Sequence, residues 1–504
     1  MLDFKHPNTI ALCSEGKWRI ASGEVSITDN TIYLQTNCAS WIKIEWSVDF
    51  SQNSLVLGDA WERAYGDLRW KPIIEPAFHP WYFSVKDGDV TTCIGVKTGP
   101  AALCSWTATT TTVTLLMDVR CGCVDTQFDG RKLKVAELVS LSKTGDTFSI
   151  INEFCRMMCD KPALLKEPFY GGDDWYDNYG KSNFDKIIEH VKILSECSKG
   201  LKNRPYQTVD AGWQPCHNWF PNDQYIGGPF NGCNINFKDM KLLADEIRAL
   251  DVRPGIWFKP LETLEYVPED AILRREHKNF KFLDPSHPAI KEKTIEDLNR
   301  FVDWGYELIK HDFACVDIFG HYGPLMKQSV VEGKWSFYEK NKTTAEISTE
   351  YYERSAKAAK GAIINACNTF SHLSAGIFNV FRIGDDISGY DYKRTVKMGV
   401  NTLAFRGLQH NALYTADPDC VAITSKLTQE QIDEWMNLIK YSGTSMIVSV
   451  ENKCYTPQVR EALTEAFAIV SEPHEVAKPL DWTETDLPTR WQTFDGEKEF
   501  DWKY

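Results

Sequence analysis

The chain has 504 residues, 43% hydrophobic and 25% charged, with a formal net charge of −14. That is the balance of a globular protein too long for one core, so two or three domains are expected. An acidic excess with no basic block argues against nucleic acid or anionic lipid as partners, and no apolar run of about eighteen residues is present to span a bilayer. The opening Met1-Leu2-Asp3-Phe4-Lys5-His6-Pro7 lacks the apolar stretch of a secretory signal, so a cytoplasmic protein is expected. The 15 cysteines are scattered and form no Cys-x-x-Cys pair, which fits reduced core residues better than a zinc site or a disulfide framework.

From residue 1 to 160 short runs rich in β-branched and aromatic residues alternate with turn signals. Val25–Thr28, Thr31–Gln35, Trp41–Trp46 and Thr112–Met117 are examples, and no helix intervenes before roughly 148–160. An N-terminal β-sandwich domain is the expected product. After Lys161-Pro162 the rhythm changes, and over 161–452 strand-like runs alternate with amphipathic helices. Strands are expected at 168–174, 206–210, 253–258, 306–312, 362–367, 377–383, 400–406, 411–416 and 445–450. Helices are expected near 182–199, 237–250, 288–303, 344–360 and up to 441. Thr428-x-x-Gln431 is a capping box opening the last of these. This pattern predicts a central (β/α)8 TIM barrel, with no Gly-x-Gly-x-x-Gly turn to favour a doubly wound sheet. Residues 453–504 are expected to give the last barrel helix, near 456–470, and a short C-terminal β extension. The fold class is therefore multidomain, α/β plus all-β.

Polar residues gather where barrel enzymes build their sites, at the C-terminal ends of the predicted strands: Asp174, Trp175, Asp210, Trp257, Asp312, Cys367 and Asp386. Asp312 follows Leu308-Ile309-Lys310-His311, and in a strand residues two apart share a face. Lys310 beside Asp312 favours the ionised carboxylate, as a nucleophile needs. Asp386 has neighbours of opposite effect: Arg382 depresses its pKa, while Asp385 and an apolar pocket raise it, and a carboxyl kept protonated suits a general acid. One charged and one neutral carboxyl about 5–5.5 Å apart is the arrangement of a retaining glycosidase.

Taken in order, the motifs resemble the retaining α-galactosidases of glycoside hydrolase families twenty-seven and thirty-six, most closely the bacterial type with a β-domain ahead of the barrel. They are Gly171 to Trp175, Asp210-Ala211-Gly212-Trp213, Gly255-Ile256-Trp257, Leu283-Asp284-Pro285, Lys310-x-Asp312, Cys367, Arg382-Ile383-Gly384-Asp385-Asp386 and Asp417-Pro418-Asp419-Cys420. The resemblance implies release of terminal α-D-galactosyl residues by double displacement, with Asp312 as nucleophile and Asp386 as acid/base. It further implies Lys310 and Arg382 as donors to sugar hydroxyls and Trp175 and Trp257 as aromatic walls. Asp210 is implied as an acceptor for sugar hydroxyls, Cys367 as a pocket wall and Trp61 as a tryptophan supplied by the N-terminal domain, while Asp174, at the end of strand one, is expected to make up for a carboxylate missing at Ala211. The partner implied is a small-molecule carbohydrate, with a homo-oligomer as a further expectation and neither cofactor nor metal. Three positions depart from the pattern: Ala211 replaces a second aspartate, Asn368–His372 replaces a Gly-rich loop, and Asp385 replaces a common proline. The first two bear on sugar identity and leave open a related sugar, such as α-N-acetylgalactosaminide or β-L-arabinopyranoside, or transglycosylation. A sugar-binding protein without catalysis is the alternative of another class.

Overall fold

The computed structural model describes residues 2–217, 226–274 and 280–502. The N-terminal part builds two large antiparallel sheets, beside a small pairing of Cys38–Ala39 with Thr126–Gln127. One has six strands, in the order Lys17–Ile20, Thr9–Ser14, Trp41–Ser47, Thr112–Asp118, Leu103–Ala108 and Phe78–Pro80; the other has seven and includes the long strand Lys132–Thr144. Alternation decides which face is buried: Ile42, Ile44 and Trp46 point in while Lys43 and Glu45 stay partly exposed. The inward faces meet where Phe83 of one sheet lies 5.9 Å, ring to ring, from Trp106 of the other.

The helix Thr147–Met158, capped by the Asp146 carboxylate accepting the Ser149 N–H, leads into a second unit. Here nine strands form one parallel sheet. Its order is Thr415–Asp417, Val380–Arg382, Ile363–Ala366, Leu308–His311, Arg253–Phe258, Tyr206–Val209, Tyr170–Asp173, Met446–Val450 and Cys420–Ile423. The two edge strands are consecutive in the chain, separated only by Pro418 and Asp419, so the sheet curls until its edges lie next to each other. Helices Phe184–Cys197, Met240–Ala249, Pro288–Asp303, Thr344–Ala358, Gln429–Tyr441 and Pro457–Val470 alternate with the strands. Their starts are written in the sequence: Asn183, Asp239, Thr343, Thr428 and Thr456 each accept a first-turn N–H, and Thr343 and Thr428 complete capping boxes with Glu346 and Gln431.

Two expectations for this unit need correction. The run 400–406, expected as a strand, is the helix Asn401–Arg406, every residue of which is buried; without an exposed face its apolar pattern has no period to read. The strand Cys420–Ile423 was not anticipated, because only two residues part it from the one before. At the C-terminal end, Lys478–Pro479, Arg490–Thr493 and Gly496–Glu499 make a three-stranded sheet. Nearby, Trp482 packs against Trp70, Phe148 and Phe405, joining all three parts of the chain.

Candidate active site

The C-terminal ends of the parallel strands surround a cavity of about 560 Å3, open to solvent, whose lining includes Trp175, Asp210, Ala211, Trp257, Lys310, Asp312, Cys367, Arg382 and Asp386. Eight of the ten residues proposed from sequence meet here, carried at or just beyond the ends of six strands, with Lys310 and Asp312 sharing one and Arg382 and Asp386 another. The first strand can approach its neighbour because it carries glycines: a Cβ on Gly171, whose φ is +149°, would sit 1.9 Å from the Tyr206 carbonyl oxygen.

Asp312 follows the strand Leu308–His311 and is fixed on both oxygens. Its Oδ2 accepts the Trp257 indole N–H at 3.1 Å, and its Oδ1 accepts the Phe313 N–H at 2.8 Å. Phe313 adopts a left-handed φ of +63°, which turns the chain sharply after the carboxylate. Lys310 shares that face but serves other partners: its ammonium lies 2.9 Å from Asp173 and 2.5 Å from Asp210. Burial works against the charge of Lys310, yet the two aspartates outweigh it and hold its pKa well above the ordinary lysine value. The lysine therefore organises the ends of strands one and two rather than pairing with Asp312.

Asp386 hangs beyond the strand Val380–Arg382, with its side chain 43% exposed. Its Oδ1 takes two guanidinium N–H bonds, from Arg382 at 3.0 Å and from Arg63 at 3.3 Å. Partial enclosure raises its pKa, but Arg63 and Arg382 prevail and hold the carboxyl below the usual aspartate value. This corrects the expectation of a carboxyl kept neutral by Asp385. That residue is itself bound by Arg63 at 2.9 Å and by Arg394 at 2.7 Å. Arg382, 2% exposed, also ion-pairs with Asp419, which accepts the Tyr176 hydroxyl and the Ile387 N–H. Burial pushes the Asp419 carboxyl up to about 6 despite Arg382. Cys367 lies with its sulfur 3.8 Å from both Arg63 and Arg382; burial, followed by the charge of Asp312, pushes its thiol up, so it stays a neutral wall.

Two sequence-proposed residues lie elsewhere. Trp61 is 3% exposed, packs edge-on against Trp81 at 4.9 Å, and donates its indole N–H to the Lys327 carbonyl. It borders a separate cavity between the N-terminal sheets and the loop near 323–326. Asp174 stands behind the wall, its Oδ1 accepting the Asp210 N–H at 2.8 Å, so it positions Asp210 instead of facing the cavity. The N-terminal part does reach the site, through Arg63. Sequence reasoning passed over Arg63, Tyr176, Phe313 and Tyr322, which also line the cavity. The signal for Arg63 was faint: one arginine two residues after Trp61 in a segment with no secondary-structure pattern. Among the described residues no three His, Cys, Asp or Glu side chains are grouped to hold a metal ion; Asp210 and Asp386 are occupied by a lysine and two arginines.

The curled parallel sheet therefore carries an acid-, base- and tryptophan-lined cavity at the C-terminal ends of its strands. No family model matches the sequence and no curated protein matches it; the likeness is in three dimensions. The chain is similar to an α-galactosidase from Thermus thermophilus in complex with p-nitrophenyl α-D-galactopyranoside, with a TM-score of 0.63, 15% identity, and coverage of 97% of this chain and 98% of that one. It is also similar to a family 36 α-galactosidase from Geobacillus stearothermophilus in complex with 1-deoxygalactonojirimycin, with a TM-score of 0.59, 12% identity, and coverage of 88% and 65%. A third neighbour is the galactosidase domain of an α-galactosidase–sucrose kinase, with a TM-score of 0.57, 13% identity, and coverage of 88% and 63%. These structural neighbours are thus α-galactosidases, the one from Geobacillus stearothermophilus belonging to glycoside hydrolase family 36, and at these identities the likeness establishes the fold alone.

Proposed function

We propose that this protein is a retaining glycoside hydrolase that removes terminal α-D-galactosyl residues. The observation that carries the reading is the meeting of Asp312 and Asp386 on one cavity, from two different strand ends, with Trp257, Asp210, Lys310 and Arg382 around them. In this reading the nine-stranded sheet is a (β/α)8 barrel with one stave interrupted at Pro418-Asp419, and the two N-terminal sheets are a β-sandwich.

Asp312 attacks the anomeric carbon from the position set by the Trp257 and Phe313 N–H groups, while Asp386 gives its proton to the departing glycosidic oxygen. In the second step water attacks the glycosyl ester and Asp386 takes the proton back, restoring the configuration at C1. The arginine-bound, ionised form of Asp386 in the free protein suits this second step. For the first step the bound substrate must shift it toward the acid, by covering its exposed edge and offering the glycosidic oxygen as acceptor. Arg382 and Lys310 stand where hydroxyl contacts can strengthen as the ring flattens. Ala211 in the lining favours a second reading within the same chemistry. A methyl where a hydrogen-bonding carboxylate could stand suits a sugar that differs near that wall, such as an α-N-acetylgalactosaminide or a β-L-arabinopyranoside.

The test is a panel of nitrophenyl glycosides on the wild type and on Asp312→Gly, with azide added to the variant. Activity lost in the variant and restored by azide, with an inverted glycosyl azide as product, is expected with one sugar of the panel. Wild-type protein that binds sugars yet cleaves none of them would leave a binding protein as the answer.

A further inference from the structure

We propose that Arg63, entering from the antiparallel sheets, is a positioning residue for Asp386: with Arg382 it occupies Oδ1 of that carboxyl and leaves Oδ2 as the oxygen that delivers the proton. The inference rests on reading Asp386 as the acid/base, and its test separates the two.

The geometry begins with the backbone. The Ala64 N–H donates to the Ile383 carbonyl at 2.9 Å and the Asp385 N–H donates to the Ala64 carbonyl at 2.8 Å, so the segment carrying Arg63 runs as a short parallel bridge beside the segment carrying Asp386. The Arg63 side chain is 7% exposed and its fork spans the adjacent carboxyls, Nη2 to Asp385 at 2.9 Å and Nη1 to Asp386 at 3.3 Å. Behind it the Tyr65 and Tyr322 rings lie 5.7 and 5.8 Å from the guanidinium carbon, holding the planar group from the other side. Arg394 then binds the second oxygen of Asp385 and, through Nε, the Asp386 carbonyl at 2.7 Å. The cations facing Asp386 are therefore Arg63, Arg382, Lys310 and Arg394. Asp419 and Asp385 are the anions near it, and Tyr176 and Tyr322 are its neutral titratable neighbours.

An oxygen that already accepts two charged N–H bonds has little electron density left for a proton, so Oδ2 is the site of protonation. Proton transfer then has one oxygen and one orientation. A lysine could supply the charge but not the two-carboxyl span.

The experiment compares wild type, Arg63→Met and Arg63→Lys on glycosides whose leaving groups run from dinitrophenol to a simple alcohol, across pH. For Arg63→Met the basic limb of kcat/KM, which reports the acid, is expected to move up by about one pH unit, with loss concentrated on the poor leaving groups that need the proton. Arg63→Lys should leave the limb near its wild-type place but lose kcat on the poor leaving groups by up to about a hundredfold, the cost of a reacting group misplaced by about 1 Å. An unmoved limb in Arg63→Met, or a uniform loss across all leaving groups, would overturn the proposal. If Arg63→Met does not fold, undiminished kcat in Arg63→Lys on the poor leaving groups overturns it alone. A wild type inactive on every glycoside would instead remove the reading of Asp386 on which this depends.

Discussion

Asp174 shows how a buried carboxyl can serve a site it does not face. Burial, followed by the charge of Asp173, pushes its pKa up to about 7 while it accepts the Asp210 N–H. The unfolded chain ionises this group near pH 4, so between about pH 4 and 7 the folded state holds a proton that the unfolded state has lost. Stability from this residue is accordingly full below pH 4, falls as pH rises through 7, and is flat above. An amide keeps the acceptor oxygen and removes the titration. Asp174→Asn is expected to match the wild type in Tm near pH 4 and to exceed it by several degrees at pH 8, as thermal melts at the two pH values would record. A Tm difference that does not grow with pH would mean the carboxyl is not buried in the way described. Arg63 makes the complementary case, because its weight comes from the chain distance it bridges. Nothing local in Glu62-Arg63-Ala64-Tyr65 separates it from an ordinary surface arginine.

At the level of strands and helices, the residues that matter are those where two backbones come too close for a side chain. Gly171 is the sharpest instance, since a methyl there would meet the Tyr206 backbone at 1.9 Å and cannot be relieved by moving a side chain. Gly171→Ala should force apart the strands that carry Asp173 and Asp210. The expected outcome is a loss of stability of several kcal/mol, of the size of core overpacking or more, read as a large drop in the urea midpoint or as insoluble protein. Retention of a wild-type midpoint would contradict the pairing of Tyr170–Asp173 with Tyr206–Val209. This pairing also marks what the sequence could disclose. The cap at Thr428, and the period of helices such as Phe184–Cys197, are local signals and lie where expected. Asp312 and Asp386 were visible because each closes an apolar strand with a charge. Asn401–Arg406 was not visible as a helix because burial on all sides erases its period. Trp61 was assigned to the cavity because the resemblance implies a tryptophan supplied there by the N-terminal domain. The choice between it and Arg63 is made by Trp81 and Phe370, about 20 and 300 positions away in the chain, against which Trp61 packs.

For the whole molecule, the contact to weigh is the one that ties the antiparallel sheets to the parallel sheet. Arg406, fully buried, lies 2.8 Å from the Asp59 carboxylate and donates to the carbonyls of Glu62 at 2.7 Å and Ile383 at 3.0 Å. Gln409 completes the set with a 2.9 Å bond to Asp59. One guanidinium thus ties the loop that carries Arg63 to the segment that leads to Asp386, with the Trp81 and His372 rings stacked nearby across the same boundary. Removing Asp59 leaves that guanidinium buried without its counter-charge, a defect that typically costs about 3–5 kcal/mol. Asp59→Ala should therefore lower Tm steeply, and it should do so in one transition, with antiparallel and parallel parts melting together. Because the loop 59–65 loses its anchor, the loss of kcat on poor leaving groups expected for Arg63 variants should appear in Asp59→Ala as well, at temperatures where the variant is still folded. Calorimetry with near-UV circular dichroism, followed by kinetics at low temperature, checks both halves. Two separate transitions, or an isolated 161–502 fragment that folds and keeps full activity, would show that the N-terminal sheets are an appendage rather than a wall of the candidate active-site cavity.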